Sequence, residues 1–459
     1  AIRWMRTHAD RLGIDPKRIV ASGGSAGGHL AAATAIIEGF DEPDESRTVS
    51  SAPNLLVLYN PALQLAALND FNPLGESTIK IISERLSGPA EALSPIHHIR
   101  QGLPPSIIFH GESDEAVPVE SIRRFKELMD QDGNECRLIT FEGRPHGFFN
   151  TGRGGTPEIK AREVADHRET TRLCDQFLID HKYLRPTLSQ EVPETVEAFT
   201  DLVYKKIQDR ELKLDLYLPK NRPGLKPAVI VVHGGGWLKG SKEQFRPMAI
   251  ELARRGFVAA TVEYRLGTES RFPAAVQDCN GATQFLRANA TKYGIDPERI
   301  GAVGGSAGGH LVGLMATGSE IKEFHSGSDS SVSSRIHAGI VLAGPMELAT
   351  GPVADRSRTG GMMSNANQWI GKTVDEAPDL YRLASPFSHL SAQTPPLLFL
   401  VGELDSPERN QATRERLREF HIPTGVIVFK DGKHGCWNRH PYFLPMVDEM
   451  HNFFETHLK

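Results

Sequence analysis

The chain has 459 residues, 39% of them hydrophobic and 24% charged, and a formal net charge of −5. That length exceeds one ordinary core and makes two domains the natural expectation. The mild acidity and the lack of a basic face argue against a nucleic-acid partner. The longest apolar runs, at 228–232 and 397–401, suit buried strands and fall far short of a membrane span.

The opening stretch, AIRWMRTHADRLGIDP, reads as helix and carries no signal-peptide pattern. The first motif after it is GGSAGGHL at 23–30, which returns at 304–311. With an offset of 281 residues, LGIDPKRIVASGGSAGGHL lies on YGIDPERIGAVGGSAGGHL without a gap. SPIHHIRQGLPPSIIFHGESD meets SPFSHLSAQTPPLLFLVGELD at an offset of 291, and EGRPHGFF meets KDGKHGCW at 288. Three blocks in one order at a nearly constant offset predict an internal duplication. The expected layout is a partial domain over 1–184, a linker over 185–200 and a complete domain over 201–459. The linker reading rests on two prolines and weak apolar periodicity.

The second copy has more chain ahead of its motif. Alternating residues over 202–218 predict a hairpin, and PAVIVVHGGGW predicts a buried strand followed by a glycine turn. A helix is expected over 244–255, a strand over 257–263 and a long helix over 273–293. The first copy begins inside the equivalent of that last helix, since Ala1 aligns with Ala282. About four strands are therefore expected to be missing from it. The strand carrying its motif would then be an exposed edge, and an upstream half-domain is expected in the natural chain. Strands alternate with helices throughout, and apolar runs such as 105–109 and 336–342 read as buried on both faces. That pattern predicts a mostly parallel sheet covered by helices on both faces.

Gly304-Gly305-Ser306-Ala307-Gly308 fits G-x-S-x-G between an apolar strand and a helix. A serine nucleophile needs a base, and the base needs an orienting carboxylate. Asp405 follows the apolar PPLLFLVGEL, and His434 follows TGVIVF, giving the chain order Ser…Asp…His. The first copy repeats the order with Ser25, Asp114 and His146. After Asp405 the turn reads SPERN where the first copy has EAVP, so Glu403 stands as the alternative acid; His440 is the alternative base. His233-Gly-Gly-Gly-Trp237 follows a Val-rich strand, where consecutive glycines can aim backbone N–H groups at an oxyanion. His29 and His310 are read as buttresses of the two serine turns. His98 and His389 are read as structural hydrogen-bonders, although the His97–His98 pair invites a metal reading. Trp237 and Tyr264 are candidate substrate contacts. Cys136, Cys174, Cys279 and Cys436 show no metal spacing and are read as free, mostly buried thiols.

These motifs resemble the α/β-hydrolase fold and, within it, the acetyl esterase/lipase group with an HGGG motif, which is hormone-sensitive-lipase-like and bacterial feruloyl/acetyl-esterase-like. The resemblance implies an eight-stranded, mostly parallel sheet with the hairpin at its antiparallel edge, preceded by the C-terminal half of a second such domain. It implies Ser306 as nucleophile, His434 as base, Asp405 as its partner, and an oxyanion hole from Gly235, Gly236 and Ala307. No cofactor or metal is implied. The expected substrate is a small-molecule or polysaccharide ester carrying a short acyl group, acetyl or feruloyl. The first copy has no HGGG and is expected to be inactive; losing even one oxyanion donor lowers rate by about 10²–10³. Two other readings remain: a prolyl-oligopeptidase-like peptidase, against which HGGG argues, and a non-catalytic binding role for the first domain.

Overall fold

The computed structural model describes residues 1–42, 47–86, 89–152, 155–185, 187–220, 223–325 and 331–458. The chain forms two compact units, Ala1–Leu184 and Arg185–Lys459.

The first unit is built on four parallel strands in the order β1 (Val20–Gly24), β2 (Leu55–Tyr59), β3 (Ser106–Gly111), β4 (Cys136–Phe141). Successive side chains of a strand point to opposite faces. Leu56 and Leu58 of β2 accordingly pack with Ile36, Ile108 and Phe125 on one face. Leu55 and Val57 pack with Phe109, Phe148 and Phe177 on the other. The helices Ala26–Ile36, Val119–Gln131 and Pro157–Asp180 contribute to those two layers. Among the described residues β1 pairs with β2 alone and stands at the edge of the sheet, as expected from the sequence. Two of its five residues are glycine and one is serine, which leaves little apolar surface on that edge.

The second unit carries eight strands: β5 (Val196–Ile207), β6 (Arg210–Pro219), β7 (Lys226–Val232), β8 (Val258–Val262), β9 (Ile295–Gly305), β10 (Ala338–Leu342), β11 (Leu397–Gly402) and β12 (Thr424–Phe429). Their spatial order is β12-β11-β10-β9-β7-β8-β6-β5. β5–β6 and β6–β8 are antiparallel, and the other pairings are parallel. The predicted hairpin is thus present at the antiparallel edge, but it starts earlier than expected. Residues 196–200, assigned to the linker from sequence, belong to β5, and Val196, Glu197, Ala198 and Phe199 pair with β6. Leu188 also packs on the second unit's core, and Thr187 bridges to Arg439. Every residue of β8, β10 and β11 is buried, as expected for strands sandwiched between helical layers. The helix predicted over 273–293 is interrupted at Asn289, giving Ala274–Ala288 and Ala290–Tyr293. The Gly-rich stretch between β10 and β11 contains three short α-helices, Gly351–Gly360, Asn365–Ile370 and Pro378–Leu383, anchored by the fully buried Trp369 and Tyr381.

Candidate active site

In the second unit β9 ends at Gly305 and the helix Ala307–Thr317 begins one residue later, so Ser306 alone makes the turn. It does so at φ 56°, ψ −119°, a conformation that L-residues rarely occupy. Two backbone bonds hold it: its N–H donates to the Leu342 carbonyl (2.8 Å), and its carbonyl accepts from the His310 N–H (3.0 Å). The turn needs a glycine before it, because a Cβ on Gly304 would run into the Gly308 carbonyl.

Ser306 Oγ lies 2.9 Å from His434 Nε2, and His434 Nδ1 lies 2.6 Å from Asp405 Oδ2. The short Nδ1 contact to a carboxylate assigns the proton to Nδ1 and leaves Nε2 free to accept from the serine. Glu403, the alternative acid, turns away and accepts from the Asp431 N–H (3.0 Å). His440, the alternative base, packs edge-on against Phe443. The Asp405 side chain is nearly buried, whereas the His434 ring is half exposed and open to a substrate. Trp437 packs edge-on against that ring at 5.1 Å.

The glycine loop leaves β7 beside the serine. A Cβ on Gly234 would sit 3.3 Å from Ser306 Cβ, which shows how closely the loop approaches the nucleophile. Gly235 takes φ 120°, and any side chain there would strike the Lys239 carbonyl, so only glycine fits. The Asn365 amide lies directly over Gly236; sequence reading had not singled out Asn365.

A layer of buried polar groups fixes this loop. Tyr264 Oη donates to the His233 carbonyl (3.0 Å) and stacks on the His233 ring at 4.3 Å. His233 Nδ1 is 2.7 Å from the Gly234 carbonyl. Trp237 Nε1 donates to His310 Nδ1 (3.1 Å), while His310 Nε2 faces the Ala384 carbonyl (2.7 Å). His310 is therefore a neutral imidazole with one donor and one acceptor, both engaged. Burial lowers the pKa of His233 and of His310 to about 4 in each case. Trp237 and Tyr264 thus differ from the expected substrate contacts. Both are buried, Trp237 is sandwiched on Trp369 at 5.0 Å, and their polar atoms are committed to internal partners.

Beyond the loop, Lys242 is 3% exposed and sits 2.7 Å from the fully buried Asp215 of β6. Asp215 also accepts from Arg246 (3.2 Å) and from the Asp201 N–H (2.9 Å). A buried ion needs such partners, and this cluster ties the end of the loop to the sheet.

The first unit brings its three residues together in the same way. Ser25 has φ 54°, ψ −121°. His146 Nε2 is 2.9 Å from Ser25 Oγ, and His146 Nδ1 is 2.7 Å from Asp114 Oδ2. Among the described residues of this unit no glycine loop stands beside the serine.

The other singled-out histidines hold backbone carbonyls: His29 that of Leu93, His97 that of Ala67, His98 that of Glu91 and His389 that of Leu383. All four cysteines are free thiols, buried except for the half-buried Cys174. Burial pushes the Cys436 thiol, close to Asp405, up to about 12. Among the described residues no helix is long and apolar enough to cross a membrane.

Comparison with known proteins adds a family. The BD-FAE family model matches residues 1–129 and 214–415, and the dienelactone hydrolase family model matches 89–178. Esterase LipC of Mycobacterium tuberculosis is 32% identical over 233 residues, which is 48% of this chain and 56% of that protein. A probable isoprenylcysteine alpha-carbonyl methylesterase of Arabidopsis thaliana is 30% identical over 236 residues, 48% of each chain. The chain thus spans about half the length of the curated relatives it matches. A solved structure described as a truncated form of a carbohydrate esterase from gut microbiota aligns with a TM-score of 0.51 at 23% identity. It covers 59% of this chain and 99% of its own, and shows the α/β-hydrolase fold. With the first of these models matched over well over half of its length, the chain belongs to the BD-FAE family.

Proposed function

We propose that the second unit is a serine carboxylic-ester hydrolase working through an acyl-enzyme. Ser306 Oγ attacks the ester carbonyl while His434 Nε2 takes its proton. The amides of Gly235, Gly236 and Ala307 hold the oxyanion. The protonated imidazole then gives its proton to the departing alcohol, and water, activated by the same His434, releases the acid. Asp405 keeps the imidazole in the Nδ1–H tautomer throughout. The observation that carries this reading is the unbroken Ser306–His434–Asp405 chain, at 2.9 and 2.6 Å, on a serine held at φ 56°. The esterase names of the relatives support it.

For substrate we infer a short acyl group, acetyl or feruloyl, on carbohydrate. The half-exposed His434 ring supports an alcohol that projects into solvent. For the first unit the reading is a non-catalytic or much slower site. What favours it is that, among the described residues, no glycine loop stands beside an otherwise similar Ser25.

Hydrolysis of p-nitrophenyl acetate by the wild type, Ser25→Ala and Ser306→Ala tests the assignment. Activity should vanish with Ser306→Ala and persist with Ser25→Ala; the reverse would overturn it. Release of acetate or ferulate from acetylated and feruloylated xylan tests the substrate class.

A further inference from the structure

The two units hold their triad acids by different means. Asp114 is saturated by neutral donors. Its Oδ1 accepts from the N–H groups of Ala116 and Val117, both at 2.9 Å, and its Oδ2 accepts from Asn60 Nδ2 at 2.6 Å as well as from His146. Asn60 is the residue immediately after β2, at φ 42°.

Apart from the histidine, none of these donors has a counterpart around Asp405. Ala343 is the residue after β10, in the place of Asn60 and likewise at positive φ (49°), and it has no side-chain donor. Pro407 is two residues past Asp405, where Ala116 stands past Asp114, and proline has no N–H. Ser406 takes φ 51°, and among the described residues no turn amide reaches the carboxylate. A nearly buried carboxylate with one oxygen unpaired would be costly.

The missing partner is Arg409. Its Nη2 donates to Asp405 Oδ1 at 2.7 Å, and its Nη1 donates to the carbonyl of Ala343. The guanidinium is planar and rigid, so two N–H groups fixed at two separate acceptors define the carboxylate's orientation as well as its charge partner. Asn410 extends the same clasp: its Oδ1 accepts from the Met346 N–H (3.0 Å) and its Nδ2 donates to the Gly344 carbonyl (2.8 Å). The loop carrying the acid is thereby fastened to the loop that follows the strand beside the serine.

We propose that Arg409 is a positioning residue for the reaction: it presents Asp405 to His434 in place of the asparagine and turn amides that do this for Asp114. The hydrogen-bond partners of Arg409 are Asp405 and the Ala343 carbonyl, not Ser306 or His434. It acts through Asp405 on the orientation of the imidazole, a misplacement to which catalysis is sensitive. The proposal rests on the esterase reading of the second unit.

The test uses the full chain and p-nitrophenyl acetate, with kcat and KM measured separately for wild type, Arg409→Gln, Arg409→Lys and the double variant Ala343→Asn/Arg409→Gln. Arg409→Gln should lose about 10- to 100-fold in kcat with KM within about twofold. The double variant rebuilds the Asn60-type donor and should recover at least about fivefold of that loss, which a merely structural arginine would not allow. Should Arg409→Gln fail to fold, the double variant and Arg409→Lys carry the comparison: the double variant should then exceed Arg409→Lys in kcat, because lysine cannot hold both acceptors in one plane. The downfield proton resonance of His434 Nδ1–H should weaken or move in Arg409→Gln and return in the double variant. Wild-type kcat in Arg409→Gln, or a double variant no better than the single variants, would overturn the proposal. An inactive wild type would instead overturn the esterase reading, and the proton resonance would still report on Arg409.

Discussion

The helix behind Ser25 and the helix behind Ser306 share the sequence AGGHL at their start, yet they live in different surroundings. In the second unit every residue from Ala307 to Ala316 is buried. In the first, five residues of the corresponding helix are buried, and Leu30, the counterpart of the fully buried Leu311, is 65% exposed. The difference lies in β5–β8 and the helix Ala274–Ala288, which have no equivalent in the first unit among the described residues. The serine, histidine and aspartate nevertheless meet at nearly the same distances in both. In both units the triad is assembled at three strand ends, those of β9, β11 and β12 in the second unit and of their counterparts β1, β3 and β4 in the first. The glycine loop, with His233, Trp237 and Tyr264 from the layer that fixes it, comes from residues 226–264, which have no counterpart among the described residues of the first unit; His310, Trp369 and the Ala384 carbonyl complete that layer from beyond the serine turn. The comparison teaches that aligning the three side chains and placing a glycine loop beside the serine are separate structural tasks, carried by different stretches of the second unit.

The largest effect that can break this comparison is on the nucleophiles. Ser306→Ala should lower ester hydrolysis by about 10⁴-fold or more, since the triad acts as a unit, while Ser25→Ala should leave it within about twofold. Next is the support beneath the loop. Lys242→Met leaves Asp215 buried without its main partner and should lower unfolding free energy by about 3–5 kcal/mol, read from urea denaturation. Gly235→Ala disturbs the glycine loop while leaving the three triad side chains in place. It should lower kcat by about 10²–10³, with Ser306 still present for stoichiometric modification. Tyr264→Phe removes one bond to the His233 carbonyl and should lower stability by about 1 kcal/mol, with KM unchanged if the side chain has no substrate contact. The smallest effect is a slope. His233 and His310 have folded pKa values lowered to about 4, below the ordinary value. Between about pH 6.5 and 4 the unfolded chain binds protons that these folded imidazoles refuse, so their contribution is present at neutral pH and is lost as pH falls. The urea midpoint of the second unit should fall over that interval, and His310→Asn should flatten the fall; a midpoint independent of pH would contradict it.

Much of this site was legible because its parts are short and locally determined. GGSAGG announces a turn that only small residues permit, and the two copies mark Asp405 and His434 by their repeated spacing. Other features depend on what packs in three dimensions. Nothing in VEYRL tells that Tyr264 points beneath the glycine loop, because an aromatic residue after a strand suits either a substrate or a core. SPERN was visible as a departure, and it cast doubt on the acid. Its compensation was not visible, because Arg409 reaches back across a proline turn to a carboxylate and to a carbonyl 66 residues earlier in the chain. The early start of β5 was missed for a similar reason. Val196 and Ala198 are held by β6 and by the core, while their prolines and acidic neighbours read locally as linker.

The central claim, that ester chemistry belongs to the serine equipped with the glycine loop, is tested most directly by labelling the full chain with a fluorophosphonate and mapping the adduct by peptide mass spectrometry. The account predicts rapid modification of Ser306 with Ser25 unmodified or far slower. Modification of Ser25 at an equal or greater rate would contradict it.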